Sequence, residues 1–223
     1  MRQKTFGGEG GRIPQICARL QKCSVFADVG CDHGYCAQYM LQSNLCERAI
    51  ISDISQKSLN KAVKLLSDYA AQGRLSAVCC DGLSKVEGAD LVLIAGMGGE
   101  EIVKILKDGY IPPAFVFQPM KNADLLRAYL IENGCAIEED GIFKDNKFYF
   151  IIKGRAHGGT PAYSQAALSF GRDSLGNPLL KEYLSQEIDK TQAYLNSRMS
   201  EQNRSALNSK LAFLKGVHSG EIT

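Results

Sequence analysis

From residue 25 to residue 123 the sequence alternates short β-rich runs with helical stretches, and this alternation narrows the fold more than any other feature. Residues 25–29, 49–54, 75–79, 90–95 and 115–118 read as strands apolar enough to be buried on both faces. Residues 34–43 read as a helix between the first two. Ser55 then offers an N-cap to a helix with Leu59, Ala62, Val63, Leu66 and Tyr69 spaced three and four apart, stopped by Gly73. A further helix carries Ile102, Val103, Ile105 and Leu106 on one face, and residues 124–132 make another. Strands joined by such helices run parallel, so the expected fold is an α/β, doubly wound sheet.

The next segment departs from that pattern. Residues 135–139 and 148–153 flank a turn-rich DGIFKDNK stretch, and strands so close in sequence must pair antiparallel. A parallel sheet finished by an antiparallel hairpin is the arrangement of Rossmann-like methyltransferases, whereas nicotinamide-binding domains usually end in a sixth parallel strand. After Gly154, RAHGGTPAY reads as a linker. Asn177-Pro178 then opens a helix with Leu180, Tyr183, Leu184, Ile188, Leu195 and Met199 near one face, and a second helical run carries Leu207, Leu211 and Leu214. The two are expected to form an αα-hairpin joined near Gln202-Asn203, either as a cover for the main core or as an arm that grips substrate. The expected division is residues 1–155 for the sheet domain and 156–223 for the linker and small helical domain.

Composition removes several classes of function. The longest apolar runs, 91–95 and 148–152, fall far short of the roughly 20 residues of a membrane helix. MRQKTFGGEGGR has basic residues but no apolar core behind them, so no secretory signal, no membrane partner and a cytoplasmic location are expected. The eight cysteines include no C-x-x-C pair. They are therefore read as structural thiols of a reducing compartment, with Cys79 and Cys135 in places suited to small buried residues, and no metal is expected. Division at residue 155 leaves 19 basic against 18 acidic residues before it and 7 against 6 after it. A nucleic-acid partner would therefore have to meet a local basic patch.

The chemistry collects where the expected strands end. DVGCDHG, residues 28–34, lacks the G-x-G-x-x-G of a dinucleotide turn and places Asp32 where an acid-x-G-x-G-x-G turn has its middle glycine, between Gly30 and Gly34. Asp28 and Asp32 would repel a diphosphate. They suit a ligand with an α-ammonium and a sulfonium beside one carboxylate, the charge pattern of S-adenosylmethionine; capping of the following helix is the competing reading. Asp53, followed by Ile54, ends the second strand, where a carboxylate can accept both ribose hydroxyls of an adenosine or serve the next helix start. Asp81-Gly82 follows the third strand, where the acid can accept from an adenine amine and the glycine permits close approach. AGMGG at 95–99 puts Gly96, Met97 and Gly98 against a flat ring or the sulfonium. FQPMKN at 117–122 offers the Gln118 amide, the loop-fixing Pro119, and Lys121 and Asn122 for phosphate or base. Three acids at the ends of three successive strands mark an adenosine-plus-amino-acid site.

In that order, DVGCDHGY, the Asp53 strand end, DGL at 81–83, LVLIAGMGG, FQPMKN followed by LLRAYLIENG, and KFYFIIKG resemble the bacterial tRNA (adenine-22, N1)-methyltransferase family over residues 12–153. Gly34 and Cys36-Ala37 replace the family's Ala and Leu-Pro, and Cys31 stands where Ser or Thr is common; none removes a group assigned to the ligand. The resemblance implies methyl transfer from S-adenosylmethionine to N1 of an adenine in the D-arm of tRNA, with a C-terminal coiled-coil-like domain. N1 keeps its lone pair at neutral pH, so orientation matters more than a strong base. Positive charge moves from sulfur to the ring, and a carboxylate near the ring would stabilise it. Asp32 is the candidate for that carboxylate and His33 its hydrogen-bonding neighbour, with a histidine that only bonds backbone as the alternative. Arg12, Arg19, Lys121 and Arg127 are candidate phosphate contacts. A small molecule or protein as methyl acceptor, a nicotinamide-dependent oxidoreductase, and a non-catalytic RNA-binding adaptor that kept the fold are the competing functions. A monomer is expected.

Overall fold

The computed structural model describes residues 11–223, so most of the basic N-terminal segment discussed above lies outside the described residues. Seven strands form one sheet: β1 (Cys23–Val29), β2 (Cys46–Asp53), β3 (Leu75–Cys79), β4 (Leu91–Met97), β5 (Ala114–Pro119), β6 (Ala136–Asp145) and β7 (Lys147–Arg155). Their order is β3-β2-β1-β4-β5-β7-β6. The first five are parallel, and β7 runs antiparallel to both β5 and β6. Because β1 pairs with β2 on one side and β4 on the other, the crossovers leave it in opposite directions and open a crevice at its carboxyl end.

Strand alternation divides the core in two. Phe26, Leu91, Leu93 and Val116 face α1 (Arg12–Cys17), α2 (Tyr35–Gln42) and α3 (Gln56–Leu65). Ala27, Val92, Ile94 and Phe117 face α5 (Gly99–Asp108) and α6 (Ala123–Glu132) on the other side; the short α4 (Ser67–Ala71) lies at the β3 edge, with Tyr69 packed against the first cluster. A third cluster joins Ile142 of β6 to α7 (Gln165–Phe170), α8 (Pro178–Leu195) and α9 (Glu201–Ser219).

Four expectations need correction. The single helix after Ser55 breaks at Leu66, whose backbone (φ −104°, ψ 16°) leaves helical geometry while its side chain is fully buried, and α4 contributes only the partly buried Tyr69 to the core. DGIFKDNK is not a broad turn. Phe143 and Ile142 point to opposite faces and are both buried, which extends the strands until Asn146 turns the chain at φ 51°. The helical pair is joined by residues 196–200, with Gln202-Asn203 already inside α9 and Met199 in the connection. Ser200 caps α9 through Asn203 N–H, a polar stop signal that outweighs the apolar spacing. Cys79 is exposed because β3 is the sheet edge, and the buried thiol is Cys80 beside it; Cys135 is buried.

Arg127 is the largest side chain with no exposure. Its Nε lies 2.9 Å from both carboxylate oxygens of Asp140, and its Nη1 donates to the carbonyls of Leu168 and Ser169 at 2.9 and 3.2 Å. Asp140 in turn donates its N–H to Asp173 at 2.8 Å. One buried guanidinium therefore fastens α6, β6 and the end of α7 together, and it is no phosphate contact. No helix among the described residues is long and apolar enough to cross a membrane.

Candidate active site

The turn after β1 uses three left-handed residues, Gly30 (φ 71°), Asp32 (φ 46°) and Gly34 (φ 73°). Aspartate is one of the few side chains that tolerates this conformation, which explains how it stands in for a glycine. The turn is tied to the end of β2. Gly30 N–H and Cys31 N–H both donate to Ser52 O, at 2.8 and 3.0 Å, and Asp32 N–H donates to Asp53 Oδ2 at 3.1 Å. Gly34 N–H donates to Cys31 O at 2.7 Å. These four amides are spent inside the protein and are not offered to a diphosphate.

Asp28 is 5% exposed and accepts from Ala37 N–H at 3.3 Å, whereas the N-cap of α2 is Gly34, with no side-chain cap. Asp28 thus serves the start of α2 by accepting from a first-turn N–H, although it is not the N-cap residue, while Asp32 makes no bond to that helix among the described residues. Asp53 does serve the next helix, since its Oδ1 accepts from Ser55 N–H at 2.8 Å, while Ser55 itself caps α3.

A cavity of about 490 Å³, inside the usual range for small-molecule sites, opens over these strand ends. Asp28, Asp32, Asp53, Asp81 and Glu101 supply its carboxyls, and Gly30, His33, Ile54, Gly82, Gly96 and Met97 also line it. Glycine is favoured at two of these points by backbone conformation, φ 71° at Gly30 and φ 54° at Gly82, and at Gly82 a Cβ would also stand 2.9 Å from Ile105 Cγ2. Ser52, 1% exposed, also lines the cavity, and its Oγ has no hydrogen-bond partner among the described residues. Five carboxyls, a buried hydroxyl awaiting a partner and one guanidinium, Arg12, suit a cationic ligand that brings hydroxyls and a single carboxylate.

At the mouth, Asp32 Oδ2 lies 2.7 Å from His33 Nδ1, and the His33 ring stacks on Tyr35 at 5.5 Å between centroids. His33 thus bonds a carboxylate side chain, not merely backbone. Among the cysteines lining the cavity, burial pushes the Cys31 thiol up, and a hydrogen bond with Cys17 followed by burial does the same for Cys36. Both are kept as neutral thiols, which suits a packing role.

Besides Arg127, seven residues given to ligands stand outside this lining. Gly34 is required by packing, since a Cβ there would lie 2.9 Å from Ala62 Cβ of α3. Gly98 is the N-cap of α5, with Lys121 passing over it. Gln118 is fully buried; its Oε1 accepts from Arg12 Nη1 at 2.9 Å and its Nε2 donates to Pro119 O at 3.0 Å, so it supports Arg12 and presents no free amide. Pro119 ends β5 and is buried, and Asn122 donates to Glu100 Oε1 at 2.9 Å. Arg19 pairs with Glu139 at 3.0 Å and Arg127 with Asp140, which leaves Arg12, on the cavity wall, and Lys121 as the candidate phosphate contacts that make no ion pair among the described residues. Sequence reasoning missed Ser52 and Glu101. Glu101 was legible as the third residue of α5, where its carboxylate reaches back to Gly98 N–H at 3.4 Å. Ser52 carried no signal beyond its place one residue before Asp53.

Burial pushes the Asp28 carboxyl from its ordinary 3.8 up to about 7; the Ala37 hydrogen bond opposes this and the charge of Asp53 adds to it. An acid whose folded pKa is raised is protonated on both sides of unfolding at low pH and ionised on both sides at high pH. Its destabilisation of the ligand-free fold therefore grows between about pH 4 and pH 7 and is constant above that. A cationic ligand that pairs with Asp28 lowers this pKa again, so binding below pH 7 releases a proton. Calorimetry in two buffers of different ionisation enthalpy at pH 6 should show up to one proton released, with affinity rising toward pH 7 and level above it; proton uptake would contradict the assignment.

Residues 10–152 match the family model described as a methyltransferase domain. A Mycoplasma pneumoniae protein with a provisional tRNA methyltransferase name is 32% identical over 137 residues, 59% of this chain and 63% of that protein. The tRNA (adenine(22)-N(1))-methyltransferase of Bacillus subtilis is 27% identical over 167 residues, 72% of this chain and 70% of that one. The chain spans only 58–63% of the length of the first two curated relatives it matches. Among solved structures, M. capricolum TrmK in complex with S-adenosylhomocysteine superimposes with a TM-score of 0.86 at 22% identity, over 98% of this chain and 99% of that one. That likeness shows a common fold.

Proposed function

We propose a function from one premise: the chain belongs to the methyltransferase domain family, matched through residues 10–152. On that premise it transfers a methyl group from S-adenosylmethionine to N1 of an adenine in the D-arm of tRNA, at position 22. The observation that carries the reading is the cavity itself: five carboxyls around a turn four of whose amides are already spent, a setting hostile to diphosphate and favourable to a cationic donor. The curated relatives named as tRNA methyltransferases supply the acceptor.

When bound, S-adenosylmethionine supplies an electrophilic methyl group on a sulfonium centre. Asp53 accepts from the ribose hydroxyls, Asp81 from the adenine amine beside Gly82, and Asp28 faces the α-ammonium, with Ser52 Oγ free to complete the set. Gly30, Gly96 and Met97 shape the wall near the sulfonium and Ile54 covers the adenosine. Asp32, held by His33 Nδ1, puts negative charge at the mouth where the acceptor ring becomes positive. The acceptor base must be withdrawn from its stack, at about a few kcal/mol, and Lys121 meets the backbone on the way in. Residues 1–155 form the catalytic unit and 156–223 the appended helical one, acting as a monomer in the cytoplasm.

The test is to incubate the protein with S-adenosylmethionine and unmodified tRNA carrying an adenine at position 22, then analyse the nucleosides by mass spectrometry. N1-methyladenosine at that position is expected. Methyl transfer to another atom, or none despite donor binding, would refute the assignment.

A further inference from the structure

Arg12 occupies an unusual electrostatic position. It is the only lysine or arginine among the described residues that line the cavity, which also holds five carboxyls, yet it forms no ion pair with any of them. Instead the side chain is held by uncharged groups. Nη1 donates to the buried Gln118 Oε1 at 2.9 Å, and the guanidinium carbon lies 6.0 Å from the centroid of the Tyr149 ring. A Cβ on Gly96 would stand 3.3 Å from Nη1, so the guanidinium lies against the backbone of the β4 end, on the cavity wall. A planar donor fork with one N–H engaged and the rest unpaired among the described residues is suited to receive a carboxylate.

The backbone of the same residue is held from elsewhere. Arg12 N–H donates to Asp145 Oδ2 at 2.7 Å, and Asp145 sits at the tip of the β6–β7 hairpin. Just past the end of α1, Arg19 pairs with Glu139 of β6 at 3.0 Å and lies over the Phe143 ring at 5.7 Å. The short helix is thus strapped to the hairpin at both ends.

We propose that Arg12 binds the carboxylate of the methionine moiety, and that Asp145 is a positioning residue that sets Arg12 for it from the hairpin tip. This rests on the donor reading given above and fixes the orientation of the donor in the cavity, its one anionic group toward α1 and β4 and its ammonium toward the acids. The hairpin that closes the sheet thereby acts on donor recognition through α1.

Decarboxylated S-adenosylmethionine keeps the sulfonium, the amine and the adenosine and lacks only the carboxylate, so its affinity relative to S-adenosylmethionine isolates this contact. By calorimetry the parent protein should prefer the intact donor about 10- to 100-fold, the range of a charge-assisted hydrogen-bonded pair. Arg12→Gln should erase the preference and leave the decarboxylated compound bound as before. Asp145→Ala should reduce the preference several-fold, and Asp145→Asn, whose amide oxygen can still accept from Arg12 N–H, should restore it. A ratio of affinities on one sample does not depend on the fraction folded, so a purely structural role would leave it unchanged. Equal binding of the two compounds by the parent, or an Arg12→Gln variant that weakens both alike, overturns the Arg12 assignment; equal losses in the two Asp145 variants overturn the positioning role. A parent that binds neither compound defeats the donor reading and this inference with it, which separates that failure from the others.

Discussion

Replacement of Asp53 by alanine is expected to lower kcat/KM for methyl transfer about 100- to 1,000-fold and to weaken S-adenosylhomocysteine binding by a similar factor. The size follows from the several duties of one carboxylate. Oδ2 holds Asp32 N–H and Oδ1 holds Ser55 N–H, so the β1 turn and the start of α3 are both fastened to the end of β2 by this side chain, which also faces the cavity. Loss of two charge-assisted hydrogen bonds to ligand hydroxyls, at about 1.5–3 kcal/mol each, supplies two or more decades. Release of the Asp32 turn adds to the effect. Asp81, exposed and not holding another loop by its carboxylate, provides the contrast: Asp81→Ala should fall by only about tenfold. Isothermal calorimetry with S-adenosylhomocysteine and initial rates on tRNA measure both variants. An Asp53→Ala protein within threefold of the parent on both scales would show that the ribose is not held there.

Arg127→Ala is expected to destabilise the protein by about 3–5 kcal/mol, because it leaves Asp140 charged, buried and unpaired. For a chain of this length that corresponds to a fall in Tm of roughly 10 °C or more. The side chain has no exposure, and its Nη1 is engaged with the carbonyls ahead of Gly171. Arg127→Lys cannot reproduce the paired contacts to Asp140 together with those two carbonyls, and should rescue little. Joint replacement by apolar residues, Arg127→Met with Asp140→Leu, should recover much of the loss, since it removes both buried charges. If Arg127 were instead a phosphate contact, Arg127→Ala would keep its Tm and lose tRNA affinity in a salt-dependent manner. Thermal unfolding beside a tRNA binding isotherm separates the two.

The contrast between Asp53 and Arg127 shows what the sequence could convey. Asp53 was legible because a strand ends there and a capping serine follows, so local pattern alone placed its carboxylate at the sheet edge. The same reasoning located Asp28, Asp32, Asp81 and the 95–97 turn, all of which the structure gathers around one cavity. Arg127 misled because an arginine on an amphipathic helix normally faces water, and its partner Asp140 lies in a strand that reads as turn until Ile142 and Phe143 are seen to face opposite cores. Gly98 and Gly34 misled in a related way. Their sequence context suggests a ligand, but the atoms that crowd them, from Lys121 and Ala62, belong to other elements of the fold. Signals carried by neighbours in sequence were readable; those set by distant side chains packing together were not. Ser52 belongs to the second kind, since only the finished cavity shows its hydroxyl without a partner.

The central claim is that this acidic cavity takes a sulfonium donor and refuses a dinucleotide. Titration of the protein with S-adenosylmethionine and, separately, with NAD in one calorimeter tests it directly. The account predicts one-to-one binding of S-adenosylmethionine that is abolished or greatly weakened by Asp53→Ala, and no measurable heat from NAD. Tighter binding of NAD, or S-adenosylmethionine affinity that survives Asp53→Ala unchanged, would contradict it.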